Sequence, residues 1–286
     1  MSRQIDNSLV HETCPACAGH QLAHVGVLKY ALPTEYSSHQ ILLSRPPELW
    51  RCLSCGTRFT QNAIPEAAAM ELYRSGQSGE RWSRASFADV KPPEVTRALG
   101  RLLQPKARVL DIGCNTGQLL DFAKAQGCIT EGIEPSESSR SVAAANGHVM
   151  HSSLADVTSC FDVITGFDLV EHLYDIPAFF SAVRARLVSE GALVLLTGDV
   201  GSLSARLAGS QWWYARYPEH VVFPSRRYLA TKSGFRRVKF LGTYAASGYR
   251  TPLKSRFKRA AYSLYKGHYN GLPAVGPDHM LAIMKP

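Results

Sequence analysis

Four of the seven cysteines fall as two close pairs, Cys14-Pro15-Ala16-Cys17 and Cys52-Leu53-Ser54-Cys55. Each C-x-x-C turn sets two thiolates side by side. Two such turns complete a closed tetrahedral zinc site with no open position, which is structural chemistry rather than catalysis. Gly56, directly after the second pair, suits the left-handed turn such a knuckle needs. A second run, Asp111-Ile112-Gly113-Cys114-Asn115-Thr116-Gly117, places glycines where backbone can approach a ligand closely. It lacks the third glycine of a dinucleotide fingerprint and the Lys-Ser/Thr of a phosphate loop. Glu134 stands twenty-one residues after Gly113, where a carboxylate can accept hydrogen bonds from a ribose diol. The third run is Tyr217-Pro218-Glu219-His220, with a further imidazole at His172 in Val-Glu-His-Leu. Histidine titrates near neutrality and so suits proton transfer from an acceptor. Either imidazole can equally be a packed core histidine. Cys114, Cys128 and Cys160 are ungrouped and are expected as small core residues.

These groups need a scaffold that turns strands into loops at one edge. From Ala107 onward, short apolar runs alternate with helical stretches, the pattern of βαβ units. Strands are expected at 108–112, 129–133, 148–151, 161–166, 192–197, 237–244 and 279–284, and helices at 118–126, 136–146 and 176–188. Val109-Leu110, Val163-Ile164 and Leu193–Leu196 read as parallel strands buried on both faces. The predicted fold is a doubly wound α/β domain with a seven-stranded, mostly parallel sheet. Residues 65–104 are expected to be helical, opened by Pro65 and again by Pro92-Pro93 and closed by Gln104-Pro105. Residues 11–60 show little periodicity, so metal is expected to organise them. The implied division is a zinc-binding module at 1–64, a helical linker at 65–104 and the α/β domain at 105–286. The 34 residues between the cysteine pairs exceed the spacing of a compact zinc motif, so this insert is expected to carry structure of its own or to contact substrate.

At this point the sequence shows a resemblance. Asp-Ile-Gly-Cys-Asn-Thr-Gly followed by Gly-Ile-Glu-Pro-Ser is similar to motif I and the acidic second-strand motif of class I S-adenosylmethionine-dependent methyltransferases. FDVITGFDLVEHLYD and EGALVLLTGD are similar to that family's fourth and fifth strands. The resemblance implies that Asp111, Gly113, Asn115 and Gly117 shape the pocket for the methionine part of the cofactor. By the same resemblance Glu134 holds the ribose, Ser153 and Leu154 border the adenine, and Asp156 takes its amino group. A CxxC…CxxC module ahead of such a domain resembles bacterial methyltransferases of polysaccharide and antibiotic-sugar pathways. It also resembles the zinc-bearing ribosomal RNA guanine methyltransferases, whose insert is shorter. Tyr217-Pro218-Glu219-His220 with Ser225 is similar to the Y-x-E-H…S loop of sugar C-methyltransferases. That implies His220 as base assisted by Tyr217 and Glu219, although Pro218 stands where those enzymes more often carry His. His172 is a second candidate, or a residue that shapes the cofactor pocket. Trp212, Trp213 and Tyr214 stand in the same loop, either to stack on an acceptor ring or to pack as a lid.

The formal net charge is +9. No acidic residue lies between Glu219 and Asp278, a stretch that holds twelve lysines and arginines. Residues 250–266 read as a basic amphipathic helix with Leu253, Phe257, Ala260, Ala261 and Leu264 on one face. It is expected to clamp a phosphorylated or nucleotide-linked acceptor, to touch an anionic membrane surface, to contact RNA phosphates, or to lie exposed on the sheet edge. The first residues, MSRQIDNSLV, carry no apolar secretory core, and the longest aliphatic run, Ala192–Leu196, is far short of a span. A cytoplasmic chain with reduced thiols is expected, which favours metal over disulfides. The expected activity is methyl transfer from S-adenosylmethionine to a small-molecule or sugar and glycan-pathway acceptor, at carbon or oxygen, with a histidine base. The alternatives are an RNA methyltransferase and a non-catalytic zinc-scaffolded binding protein. Nucleic acid is disfavoured because no arginine-aromatic RNA-binding motif is present.

Overall fold

In the computed structural model the described residues are 2–30, 32–76, 85–246 and 276–286, with scattered positions between. The expected basic helix at 250–266 lies almost wholly outside them. Six strands precede the first helix: β1 (Arg3–Ile5), β2 (Leu22–Val27), β3 (Thr34–Tyr36), β4 (His39–Leu43), β5 (Glu48–Cys52) and β6 (Arg58–Gln61). The cysteine-rich region is thus more regular than its sequence implies. Its strands are short and only partly alternating, so hydrophobic period gives little signal, whereas backbone pairing defines them. The insert between the cysteine pairs contains β2 to β5, as a segment of that length allows.

Helices follow as α1 (Glu66–Ser75), α2 (Phe87–Val90) and α3 (Pro93–Gly100), the last with proline in its first turn. Next come β7 (Arg108–Ile112), α4 (Gln118–Lys124), β8 (Ile129–Ile133), α5 (Glu137–Ala145), β9 (Val149–His151) and β10 (Phe161–Phe167). The chain continues through α6 (Ile176–Arg184), β11 (Leu187–Gly198), α7 (Leu203–Ala208), β12 (Val222–Phe223), α8 (Arg226–Thr231), β13 (Arg237–Thr243) and β14 (His279–Lys285). The helix expected to reach residue 188 stops at Arg184, because Leu187 already pairs with Phe161 in the sheet.

Three sheets result. The large one has seven strands in the order β13-β14-β11-β10-β7-β8-β9, parallel from β11 to β9. β14 runs antiparallel to both β11 and β13. Its parallel strands are apolar on both faces for a visible reason. Val109, Val163, Val194 and Leu196 join one core with Phe87, Val95, Leu99 and Leu119. Leu110, Ile164, Leu193 and Leu195 join another with Phe179, Phe180, Val183 and Leu229. A helical layer on each face therefore buries alternate residues of one continuous run.

The cysteine module and the large domain share structure. β12 completes a four-stranded sheet, β12-β6-β5-β2, by pairing antiparallel with β6. Cys14, Cys52, Cys55 and Phe59 belong to the same core as Ile164, Leu195 and Tyr228. Ser225 joins the two parts: its Oγ accepts from the Tyr228 amide at 3.0 Å, capping α8, and donates to the Cys55 carbonyl. Among the described residues no helix is long and apolar enough to cross a membrane. Removing this capping hydroxyl (Ser225→Ala) is expected to cost about 1–2 kcal/mol of stability. Urea unfolding monitored by far-ultraviolet circular dichroism reads that cost, and an unchanged midpoint rules the junction out.

Candidate functional site

The glycine turn sits at the carboxyl end of β7, where ligands bind in open α/β sheets. Gly113 has φ +75° and Gly117 φ +89°, both in the left-handed region that suits glycine. A Cβ on Gly113 would stand 3.2 Å from Leu169 Cδ1, and one on Gly117 would stand 3.2 Å from the Ala143 methyl. Gly117 also serves as the N-cap of α4. Asn115 adopts φ +50°, and its amide donates to Glu134 Oε2 at 3.0 Å, while the Ser136 amide donates to Oε1 at 2.9 Å. The two carboxylates of the sequence argument come together, for β7 and β8 are paired neighbours. Asp111 accepts from Thr165 Oγ1 at 2.6 Å. Burial pushes its pKa up to about 7, with Glu134 pushing the same way and Thr165 and Lys91 opposing. Burial also raises Glu134 above the ordinary carboxylate range. Asn115 Oδ1 is buried without a partner among the described residues. Two buried carboxylates and an orphaned amide oxygen around a side-chain-free turn fit a ligand rich in hydrogen-bond donors and positive charge. The donor set of an adenosyl sulfonium amino acid meets that description.

Ser153, Leu154 and Asp156 form a single 3₁₀ turn after β9. Asp156 Oδ2 accepts from Ser152 Oγ, Ser153 N and Ser153 Oγ at 2.8 to 3.0 Å, which closes a capping box. Those hydroxyl bonds hold its carboxyl below the ordinary range.

A second group gathers beyond the end of β10. Lys91 Nζ lies 2.7 Å from Asp168 Oδ2, and its charge also acts on Asp111, so the glycine turn and this group are contiguous. Burial opposes ionisation of Asp168, but Lys91 overrides it and keeps the carboxyl below its usual value. Glu171 is fully buried, bonded by the hydroxyls of Tyr214 and, at 2.8 Å, Thr197. Burial, reinforced by Asp168, raises its pKa to about 7. His172 Nδ1 lies 2.6 Å from the Tyr73 hydroxyl and 3.1 Å from the Glu219 carbonyl. The His172 and His220 rings meet edge to face at 4.7 Å. His220 Nδ1 lies 2.7 Å from the Tyr214 carbonyl. A carbonyl only accepts, so Nδ1 carries the proton and Nε2 keeps its lone pair. Burial first, and the neighbouring His172 second, hold His220 well below the ordinary histidine pKa. Tyr217 is half exposed and packs 5.1 Å from His220. Glu219 Oε1 accepts from the Ser37 amide at 3.1 Å, whereas Oε2 is buried without a partner.

The loop that carries His220 is anchored on both sides. Thr60 Oγ1 donates to the His220 carbonyl at 3.0 Å, the Thr60 amide donates to Val221 O at 2.9 Å, and the Val221 amide donates to Glu171 O at 2.8 Å. Of the aromatic run, Trp212 is fully buried against Phe223 and Tyr214, so it packs in the core. Both indole N–H groups, of Trp212 and Trp213, donate to Asp278 Oδ2. Sequence reasoning missed Asp168 and Glu171, although both flank His172 in a run already under scrutiny. It also missed Tyr73, Lys91 and Asp278, which reach the site from distant segments and carry no local signal.

The four cysteine sulfurs lie within 4.8 Å of one another. The Cys14–Cys55 and Cys17–Cys52 separations are 3.8 and 3.7 Å. Disulfides would require about 2.05 Å. A tetrahedron with Zn–S bonds of about 2.3 Å has edges of about 3.8 Å, which these separations match. Gly56 (φ +82°) and Ala18 (φ +54°) occupy equivalent left-handed positions, one residue past each pair. The donor set and spacing fit zinc. A hollow of about 580 Å³ lies beside this knuckle and the start of α6, away from the histidine cluster. One zinc per chain is expected by elemental analysis. Cys52→Ser is expected to abolish it and alter the near-ultraviolet circular dichroism of the buried tryptophans; a metal-free protein with an unchanged spectrum would refute the site.

The profile of the methyltransferase domain family matches residues 84–234, just over half of the chain. Ubiquinone biosynthesis O-methyltransferases of Rhizobium leguminosarum bv. trifolii and Bradyrhizobium diazoefficiens are 31% identical over 99 residues and 34% identical over 101. These matches cover 31% and 32% of this chain and 39% of each relative, so the chain spans well under half of their length. An S-adenosylmethionine-dependent methyltransferase of Archaeoglobus fulgidus superposes with a TM-score of 0.50 at 18% identity, covering 78% of this chain and all of that one. Phosphoethanolamine N-methyltransferase 2 of Haemonchus contortus, solved with S-adenosyl-L-methionine, gives 0.51 at 17% identity, covering 80% and 63%. At such identities the structural likeness speaks for the fold alone. Together with the seven-stranded sheet and its glycine turn, these matches identify the chain as a member of the methyltransferase domain family, built on the class I S-adenosylmethionine-dependent fold.

Proposed function

We propose that the chain transfers a methyl group from S-adenosylmethionine to a hydroxyl-bearing small molecule, a sugar or glycan-pathway compound, with His220 as general base. The observation that carries this reading is the contiguity of two sites at one sheet edge. The carboxylate-lined glycine turn adjoins, through Lys91 and Asp168, two imidazoles packed edge to face, of which His220 is buried. The curated relatives' names, which specify O-methylation, support oxygen as the receiving atom.

When bound, the cofactor supplies a methyl group on a sulfonium, already activated for displacement. The residues assigned to hold it are Asp111, Gly113, Asn115 and Gly117 on the methionine side, Glu134 at the ribose, and Ser153, Leu154 and Asp156 at the base. The chain's own task is then alignment and deprotonation. His220 has its Nδ1 proton committed to the Tyr214 carbonyl and is kept neutral by burial, so Nε2 is free to take a proton from the acceptor. His172, held by Tyr73, and Glu219, held by Ser37, border the same space and are assigned to orient the acceptor, with Tyr217 at its rim. Zinc on Cys14, Cys17, Cys52 and Cys55 is assigned a structural part. It stiffens the β5–β6 turn from which Thr60 holds His220.

The test is a screen with labelled donor over sugar nucleotides and phenols, followed by variants. His220→Ala is expected to lower turnover at least about 100-fold while leaving S-adenosylhomocysteine affinity within about twofold by calorimetry; unchanged turnover removes the base. Cofactor affinity should depend on pH through Asp111. Its carboxyl is protonated below about 7, and a ligand amine favours the ionised form, so affinity is expected to rise as pH increases through 7. The slope is at most about tenfold per pH unit. Asp111→Asn is expected to flatten it, and an unaltered slope in that variant would reassign the titration.

A further inference from the structure

Three metal-capable side chains stand together beyond the end of β10. Glu171 and His172 are consecutive in the 3₁₀ turn Val170–His172, and His220 comes from the segment just before β12. The Val221 amide donates to the Glu171 carbonyl at 2.8 Å, which ties the two segments together beside these side chains. One ligand atom from each of Glu171, His172 and His220 lies within 4.8 Å of the other two. Bonds of about 2.1 Å to one ion set neighbouring ligand atoms about 3–3.5 Å apart, so no pair has to close by more than about 1.8 Å.

The surroundings of all three are those of oriented ligands. His172 Nδ1 lies 3.1 Å from the Glu219 carbonyl, and His220 Nδ1 lies 2.7 Å from the Tyr214 carbonyl. A carbonyl only accepts, so each ring carries its proton on Nδ1 and keeps the Nε2 lone pair. The two Glu171 carboxylate oxygens accept from the hydroxyls of Tyr214 and, at 2.8 Å, Thr197, and each retains a second lone pair. Imidazole N–H bonded to a carbonyl and carboxylate bonded to hydroxyls are the outer contacts that hold ligands around a protein-bound metal. Tyr214 supplies two of them, its carbonyl to His220 and its hydroxyl to Glu171. Two imidazoles with one carboxylate favour zinc, cobalt or nickel over magnesium and calcium, which take oxygen ligands.

We propose that Glu171, His172 and His220 form a second, exchangeable site for a divalent transition-metal ion, distinct from the four cysteines, and that its occupation silences His220 as a base. The site rests on the geometry; the silencing rests on the reading of His220 as the general base. An Nε2 lone pair bonded to the ion cannot also take a proton from the acceptor. Three protein ligands leave positions open, unlike the closed thiolate tetrahedron, so this is the weaker of the two sites. Dialysis against a chelator then removes its ion while the cysteine zinc stays.

The experiment is titration of the full chain, dialysed against chelator and retaining its cysteine zinc, with cobalt(II) chloride, followed by calorimetry and visible absorption. One cobalt per chain is expected to bind, with weak ligand-field bands and no thiolate-to-metal charge transfer. His172→Gln is expected to lose at least about tenfold in cobalt affinity, and Tyr214→Phe, which frees a Glu171 oxygen, about 10- to 100-fold. Both variants should keep one zinc per chain and the wild-type affinity for S-adenosylhomocysteine, which shows that they fold. Absence of a second ion overturns the site, and so do cobalt affinity unchanged in His172→Gln and bands of cysteine type. On whichever sugar nucleotide or phenol the chain methylates, saturating cobalt is expected to lower turnover at least about tenfold, with chelator restoring it. Turnover raised by cobalt overturns the silencing and removes His220 as base, but leaves the site. A chain that binds no cobalt yet loses turnover in His220→Ala keeps its base and lacks the site.

Discussion

The pairing of β6 with β12 joins the cysteine knuckle to the imidazole loop, two segments that the sequence holds 160 positions apart at Thr60 and His220. Backbone polar groups in a buried segment must find partners. Here the backbone around His220 is satisfied by Thr60 on one side and Glu171 on the other. The imidazole therefore has a fixed position only while both neighbours keep theirs. Thr60 keeps its position because β6 leaves the second cysteine turn directly, with Cys52 and Gly56 closing that turn through backbone bonds. A cysteine knuckle three residues from a strand, and a strand one bond from an imidazole loop, make a short mechanical path.

The same region concentrates ionisable groups where water is scarce. Asp111, Glu171 and Glu219 are all pushed toward their neutral forms by burial, and both His172 and His220 toward theirs. Leaving such groups buried and charged without partners is costly. The structure answers with neutral hydroxyl partners, Thr165 for Asp111 and Tyr214 with Thr197 for Glu171, and reserves a full counter-charge, Lys91, for Asp168. Neutral donors leave a carboxyl able to change its charge when a cationic ligand arrives. A tight ion pair does not. That difference separates Asp111, proposed to meet the ligand, from Asp168, which with Lys91 ties the two halves of the site together.

Much of the large domain was legible because parallel strands with helices on both faces must be apolar throughout, and Val109-Leu110, Val163-Ile164 and Leu193–Leu196 carry that mark. The glycine turn was legible for a different reason, since left-handed backbone at Gly113 and Gly117 is a residue-type requirement. The cysteine module was not legible as strands, for its short segments pair through backbone and show weak alternation. The aromatic run at 212–214 was ambiguous in sequence. Whether a tryptophan faces ligand or core depends on a partner such as Asp278, which arrives from the far end of the chain.

The sequence by itself determined the elements whose physics is local: the knuckles, the glycine turn, the alternation of strand and helix, and the two imidazoles as candidate bases. Tertiary structure decided which of these meet. It set Tyr73 on His172, Ser37 on Glu219 and Lys91 on Asp168, across 99, 182 and 77 positions respectively. No periodicity or spacing rule spans such separations. Contacts of that range are fixed by the packing of whole layers, which is a property of the folded chain and not of any segment.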